Sequence, residues 1–222
     1  MADQLVLGYW GIRGLAQPLR YMIEYLGLPY EDKRYLKPEE WFGVLNQAPF
    51  NTHVLVNLPY IKDGDKYIYE SAALYVYLAH KANRADLLGS TPDEQVAVTQ
   101  VRGVIQDALK GFFHIITLPE DQYAAKKEEL YANEVAWLIE RLDKFIEGKA
   151  WAAGANLTYI DFALFELEET LKSFHPESWA KFTNLQKHHQ EFSNIPQIKD
   201  YLASGRFLAG PFYPPGRFRW GF

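Results

Sequence analysis

The phenol of Tyr9 stands where a short apolar, β-prone run, Gln4 to Tyr9 (QLVLGY), gives way to a loop carrying Gly11 and Gly14. A hydroxyl at the end of a strand beside such a loop is suited to face a ligand and to donate a hydrogen bond to it. As one of fifteen tyrosines, it is on its own terms a packing residue as readily as a site. The chain contains no cysteine. Disulfide scaffolds, thiolate zinc sites, cysteine nucleophiles and redox pairs are therefore excluded together, and any sulfur chemistry must come from a ligand. Six histidines are scattered along the sequence; His188 and His189 are adjacent and cannot share a helix face as ligands spaced i, i+4 do, which argues against a metal site. Gly11-x-x-Gly14 is too short a glycine pattern for a dinucleotide. There is no phosphate-cradling loop followed by Lys-Ser/Thr, and no serine sits in a nucleophile elbow.

Around Tyr9 the first third of the chain alternates two patterns. After Gly14, residues Leu15, Leu19, Met22, Ile23 and Leu26 recur at helical spacing. Gly27-Leu28-Pro29 ends that helix, Tyr30 to Tyr35 reads as a second strand, and Pro38-Glu39-Glu40 is a helix start, with proline in the first turn and acids near the positive dipole end. Leu58 to Ile61 and Lys66 to Tyr69 flank Lys62-Asp63-Gly64-Asp65, whose Asp-Gly pair signals a hairpin. Ser71 to Asn83 is helix-like. The order is β-α-β-α-β-β-α, an α/β sandwich.

Beyond Leu87 the texture changes. Gly89-Ser90-Thr91-Pro92 reads as a loop, and Val96 to Ile116 and Ala124 to Ile146 are long periodic stretches whose apolar stripes belong to a helical bundle. Thr158-x-x-Asp161 is a capping box with a structural role. The aromatic, Gly- and Pro-rich tail from Phe207 to Phe222 is expected to fold back onto the bundle, because so many rings are costly to leave in water. Residues 1–84 are thus expected to form an α/β domain, 85–91 a linker and 92–222 an all-helical domain.

Composition narrows the function. About half of the 222 residues are apolar, enough for a sizeable core. A net charge of −5 leaves no broad cationic face for phosphate backbones, so nucleic acid is not an expected partner. Met1-Ala2-Asp3-Gln4 runs straight into the first strand without a signal-like region, and no segment reaches a membrane-spanning length. A cytoplasmic location without membrane attachment is the expectation.

Specific residues carry a resemblance. Leu7-Gly8-Tyr9-Trp10-Gly11-Ile12-Arg13-Gly14 resembles the opening of mu-class cytosolic glutathione transferases, Asn57-Leu58-Pro59-Tyr60 resembles that family's Asn-Leu-Pro-Tyr, Glu70-Ser71 is similar to the pair that opens its third helix, and Thr158-x-x-Asp161 resembles its capping motif. Sigma and pi classes share several of these features. The resemblance implies a thioredoxin-like N-terminal domain followed by an all-helical C-terminal domain, assembled as a homodimer. It implies reduced glutathione as co-substrate with no further cofactor, a small hydrophobic electrophile, and Tyr9 as the catalytic residue that stabilises the thiolate. It implies Trp10, Trp41, Asn57, Leu58, Pro59, Glu70 and Ser71 on the tripeptide, with Pro59 in cis so that the Leu58 backbone pairs with the cysteinyl unit, and Asp107 as an acid reaching across the dimer. Simpler roles stay open: Trp10 in the core, Pro59 in a plain turn, Ser71 as a cap only, Asp107 as a solvated charge. A non-catalytic carrier of apolar ligands and a glutathione-dependent isomerase are the alternative functions.

Departures from the pattern matter as well. Mu-class members place a lysine shortly after the tryptophan equivalent to Trp41, whereas Phe42 to Ile61 contains no Lys or Arg. The class's long loop is almost absent between Tyr35 and Trp41. Its aromatic dimer knob is Leu55 here, implying an interface that is weaker or differently arranged. The position of its active-site tyrosine in the bundle holds Thr117, so that an electrophile pocket lined by Trp10, Leu15, Lys110, His114, Thr117 and Tyr213 would be more polar than usual. His114 equally suits a solvent-facing position.

Overall fold

The computed structural model describes residues 4–214 and 216–222; the expectation for Met1-Ala2-Asp3 lies outside them. Strand β1 (Leu5–Trp10) sits inside a four-stranded sheet of order β2-β1-β3-β4. It pairs in parallel with β2 (Tyr30–Tyr35), Leu5 opposite Tyr30 and Trp10 opposite Tyr35. On its other side it runs antiparallel to β3 (Tyr60–Asp63), which pairs with β4 (Lys66–Tyr69). A Cβ at Gly8 would run into the Tyr60 ring, so glycine is needed there for the two strands to sit side by side. Helices α1 (Gln17–Tyr25), α2 (Pro38–Leu45) and α3 (Ser71–Lys81) complete the expected β-α-β-α-β-β-α order.

Differences from the sequence reading have local causes. The third strand starts at Tyr60 and not at Leu58, because Pro59 has no N–H for the ladder. The hairpin turns on Gly64-Asp65, one residue later than the Asp-Gly pair, with Gly64 at φ 58°. A single 3-10 turn, Gly14–Ala16, precedes α1.

The rest of the chain is helical. α4 (Pro92–Ile116) begins four residues before the periodic stretch at Val96, since Thr91 caps it by accepting from Glu94 N at 3.1 Å and Pro92 suits the first turn. The expected continuous helix Ala124 to Ile146 is instead α5 (Glu120–Leu130), a π-helical turn (Tyr131–Ala136) and α6 (Trp137–Phe145). The π turn lies against α4 at Gly111, where an added Cβ would come within 2.7 Å of Val135, so a side chain there would collide with it. α7 (Tyr159–Phe174) runs through the middle of the bundle, followed by α8 (Pro176–Trp179), α9 (Thr183–Ser193) and α10 (Pro196–Leu202). The tail does fold back: Arg219 N donates to Ile116 O at 2.8 Å and Trp220 packs edge-on against Phe174. Among the described residues no helix is long and apolar enough to cross a membrane.

The Thr158/Asp161 capping box forms as expected, within a larger buried cluster. Asp161 accepts from Thr158 N and Ala152 N, both at 2.7 Å, and meets His188 Nε2 at 3.1 Å, while His188 Nδ1 lies 2.8 Å from Glu168. Burial alone would depress the His188 pKa, but the two carboxylates outweigh it and push it up to about 10. A histidine pKa raised on folding stabilises the native state fully below its unfolded value near 6.5, and this contribution is lost as pH rises through 10. The urea unfolding free energy is therefore expected to fall between pH 7 and 10. His188→Gln should flatten that slope, and an equal slope in both proteins would count against the assignment.

Candidate functional site

The end of β1 and the loop after it build the site around Tyr9. The ring is buried, 7% exposed, and its hydroxyl oxygen accepts the Leu15 amide at 3.2 Å. With that lone pair occupied, the phenolic proton is free to point to another acceptor. Burial raises the Tyr9 pKa, more than the Leu15 hydrogen bond lowers it, so the group stays a donor near neutral pH. Gly14 makes the approach possible: it sits at φ 40°, and a Cβ there would lie 2.7 Å from the Tyr9 hydroxyl. Gly14→Ala is accordingly expected to displace that hydroxyl. It should lower turnover about tenfold and cost about 1–2 kcal/mol of stability through the left-handed backbone; a steady-state assay and a urea melt would check both, and unaltered turnover would contradict the placement.

The loop itself is anchored by charge. Arg13, buried under it, donates from Nε and Nη2 to the Glu166 carboxylate on α7 at 3.0 and 2.7 Å, and also to the Tyr21 hydroxyl at 3.0 Å. Burial works against the guanidinium, yet Glu166 and Tyr21 outweigh it and keep Arg13 protonated. This pair ties the sheet to the bundle on one side of the site.

Tyr9 opens on a cavity of about 690 Å³ between the sheet unit and the helices. Its walls come from the loop after β1, the first turn of α3, one face each of α4 and α7, and the tail. All five residues expected around an electrophile apart from Trp10, namely Leu15, Lys110, His114, Thr117 and Tyr213, line it with Tyr9. Lys110 pairs with Asp107 at 2.9 Å, and His114 Nδ1 meets Glu134 of the π turn at 2.8 Å. Thr117 turns its hydroxyl back onto its own helix, 2.8 Å from Phe113 O. Ser71 also lines the cavity at the N-terminus of α3, where the first amides lack helical partners. Glu70, just before it, holds φ 70°, a strained value for a residue with a side chain and a feature that collects at ligand sites.

The remaining expected residues lie off this wall. Asn57 reaches toward Glu70 (3.5 Å) and turns its Oδ1 to the Leu58 amide, while the Leu58–Pro59 peptide is cis. Trp41 is buried among Tyr35, Phe50 and Tyr60, and Trp10 stands edge-on to Tyr35. Asp107 is exposed and bonded to Lys110. The α7 wall, comprising Ala163, Glu166, Leu167 and Thr170, was missed by the sequence reading. Its i, i+3, i+4, i+7 spacing, with a glutamate inside an apolar helix, was the available signal.

A four-stranded α/β unit with a phenol at the end of its first strand, facing a cleft against a helical bundle, makes a two-part architecture. Family models bear this out: residues 5–80 match the glutathione S-transferase N-terminal domain and residues 106–205 the glutathione S-transferase C-terminal domain. The chain is 31% identical over 211 residues to the class-mu 26 kDa glutathione S-transferase isozyme 51 of Fasciola hepatica, covering 92% of this chain and 91% of that one. It is 30% identical over 216 residues to glutathione S-transferase Mu 2 of Rattus norvegicus, covering 94% and 95%. Among solved structures, the glutathione S-transferase Blo t 8 superposes with a TM-score of 0.86 at 24% identity, over 98% of this chain and all of that one. The chain belongs to the glutathione S-transferase family.

Proposed function

We propose that this protein is a glutathione transferase in which the Tyr9 hydroxyl donates a hydrogen bond to the glutathione sulfur and holds it as the thiolate that attacks a hydrophobic electrophile. The observation that carries this reading is the Tyr9 phenol itself: buried, protonated, with its oxygen engaged by the Leu15 amide and its ring on the wall of the 690 Å³ cavity. In this reading residues 1–84 bind the tripeptide and 92–222, joined by 85–91, supply most of the electrophile site. Ser71 and Glu70 hold the γ-glutamyl end at the N-terminus of α3, where unpaired amides and the helix dipole favour an anion. Asn57 and the Leu58 backbone beside Pro59 take the cysteinyl unit, Trp10 and Trp41 flank the peptide, and Asp107 serves the second subunit of a homodimer. Leu15, Lys110, His114, Thr117 and Tyr213 bound the electrophile. Catalysis then consists of thiol activation and proximity, with no cofactor beyond the co-substrate, and the setting is the cytoplasm.

Two linked measurements test the reading. The protein should be retained on immobilised glutathione, released by free glutathione, and should conjugate a chromogenic aryl halide. Retention without turnover on any electrophile would replace the enzyme with a carrier, and failure to be retained would remove the glutathione site.

A further inference from the structure

Away from the cleft, the segment that leaves α6 and one face of α9 enclose a second, smaller cavity of about 30 Å³, lined among others by Ile146, Lys149, Trp151, Lys187, His188 and Glu191. A water molecule needs about 10–15 Å³ of such space, so this cavity accepts a group of about two or three heavy atoms and little more.

Lys149 is the nucleophile on its wall. Other lysines are held by carboxylates, Lys81 by Asp63, Lys110 by Asp107 and Lys172 by Glu169. The Lys149 ammonium makes no ion pair or hydrogen bond with any described residue and stands 3.2 Å from the centre of the Phe145 ring. An aromatic face excludes water from the nitrogen without offering it a lone pair to bond. Burial lowers the Lys149 pKa, and no carboxylate opposes the shift, so more of the amine is neutral and able to attack. The other charged groups on the wall leave it free. Both ring nitrogens of His188 are spent on Asp161 and Glu168, and Glu191, one turn beyond Lys187 on α9, forms an ion pair with neither lysine.

We propose that Lys149 is a covalent modification site that takes a small, uncharged acyl group, an acetyl, from an acyl thioester, with the acyl group seated in the cavity beside Trp151 and Ile146. The neutral Nζ attacks the thioester carbonyl carbon, and the carbonyl π pair moves onto oxygen. That pair then returns, the carbon–sulfur bond breaks and the thiolate departs with its electrons. The nitrogen gives one proton to solvent, leaving an amide. Lys187, the second ammonium lining the cavity, balances the charge on the oxygen while it lasts. The product has lost the Lys149 charge and its donors for an ion pair.

The test incubates the whole protein at pH 8 with the acetyl and the octanoyl thioesters of N-acetylcysteamine and reads the initial rate at each lysine by peptide mass spectrometry. Lys144, exposed on α6, is the internal reference. Acetylation of Lys149 is expected to run about 5- to 10-fold faster than that of Lys144, since each unit of pKa lost multiplies the neutral fraction about tenfold and weakens the nucleophile somewhat. With the octanoyl thioester, whose chain exceeds the cavity, that advantage should vanish. Lys187→Gln should slow acetylation of Lys149 by about two- to fivefold, the effect of one solvent-screened charge. Equal rates at Lys149 and Lys144, an advantage that persists with octanoyl, or a Lys187→Gln variant that acetylates like wild type would overturn the proposal.

Discussion

Tyr9→Phe is expected to lower kcat/KM for glutathione conjugation by about 10- to 100-fold while leaving retention on immobilised glutathione in place. The size follows from the thiol. A free thiol with a pKa near 8.5 is mostly protonated at neutral pH, and only the thiolate attacks. Lowering that pKa by about two units requires about 2.7 kcal/mol, and a hydrogen bond to a charged group supplies about 1.5–3 kcal/mol. One phenol, oriented by the Leu15 amide, is therefore nearly sufficient. Phenylalanine keeps the ring in its buried slot and removes only the hydroxyl, so the loss should appear in turnover. Steady-state kinetics at pH 7 measures it; equal kcat/KM in the two proteins would remove Tyr9 from the chemistry.

Asp161→Ala should have the largest effect on stability, about 3–5 kcal/mol. The carboxylate is fully buried and serves the Thr158 amide, the Ala152 amide and the His188 ring at once. Alanine leaves two buried backbone donors without acceptors and removes one of the two carboxylates that hold His188 charged. Against a total of about 5–15 kcal/mol, such a loss brings the chain close to unfolding at body temperature. Urea melts are the check, with Asp161→Asn, which retains an acceptor, expected to recover part of the deficit. A variant within about 1 kcal/mol of wild type would show that the cluster matters little.

The sheet was legible because its signals are local. A short apolar, β-prone run marked β1, the Gly27-Leu28-Pro29 break set off β2, Asp63-Gly64 marked the hairpin to within one residue, and proline with acids marked α2, where Glu40 accepts the Leu36 amide at 2.7 Å. Thr158 and Asp161 likewise announced their cap three residues apart. The features that escaped depend on partners distant in the chain. Arg13 and Glu166 are separated by 153 residues, and nothing near either announces the other. The π turn at Tyr131–Ala136 lies against Gly111 across the bundle, and the local pattern there reads as ordinary helix. On α4, Lys110, His114 and Thr117 line the cavity together because helical spacing fixes which residues share a face. The packing of the Trp41 ring with Tyr35, Phe50 and Tyr60 likewise joins residues that lie up to 25 positions apart or sit on different elements. Leu55, at the expected knob, is 60% exposed beside the exposed Val54.

The most direct test is a titration of the sulfur itself, following the ultraviolet absorbance of the thiolate in the protein–glutathione complex as a function of pH. With wild-type protein the apparent thiol pKa should lie about two units below that of free glutathione, and with Tyr9→Phe it should return close to the free value. A wild-type complex that titrates like free glutathione, or a variant that titrates like wild type, would contradict the role assigned to the Tyr9 hydroxyl.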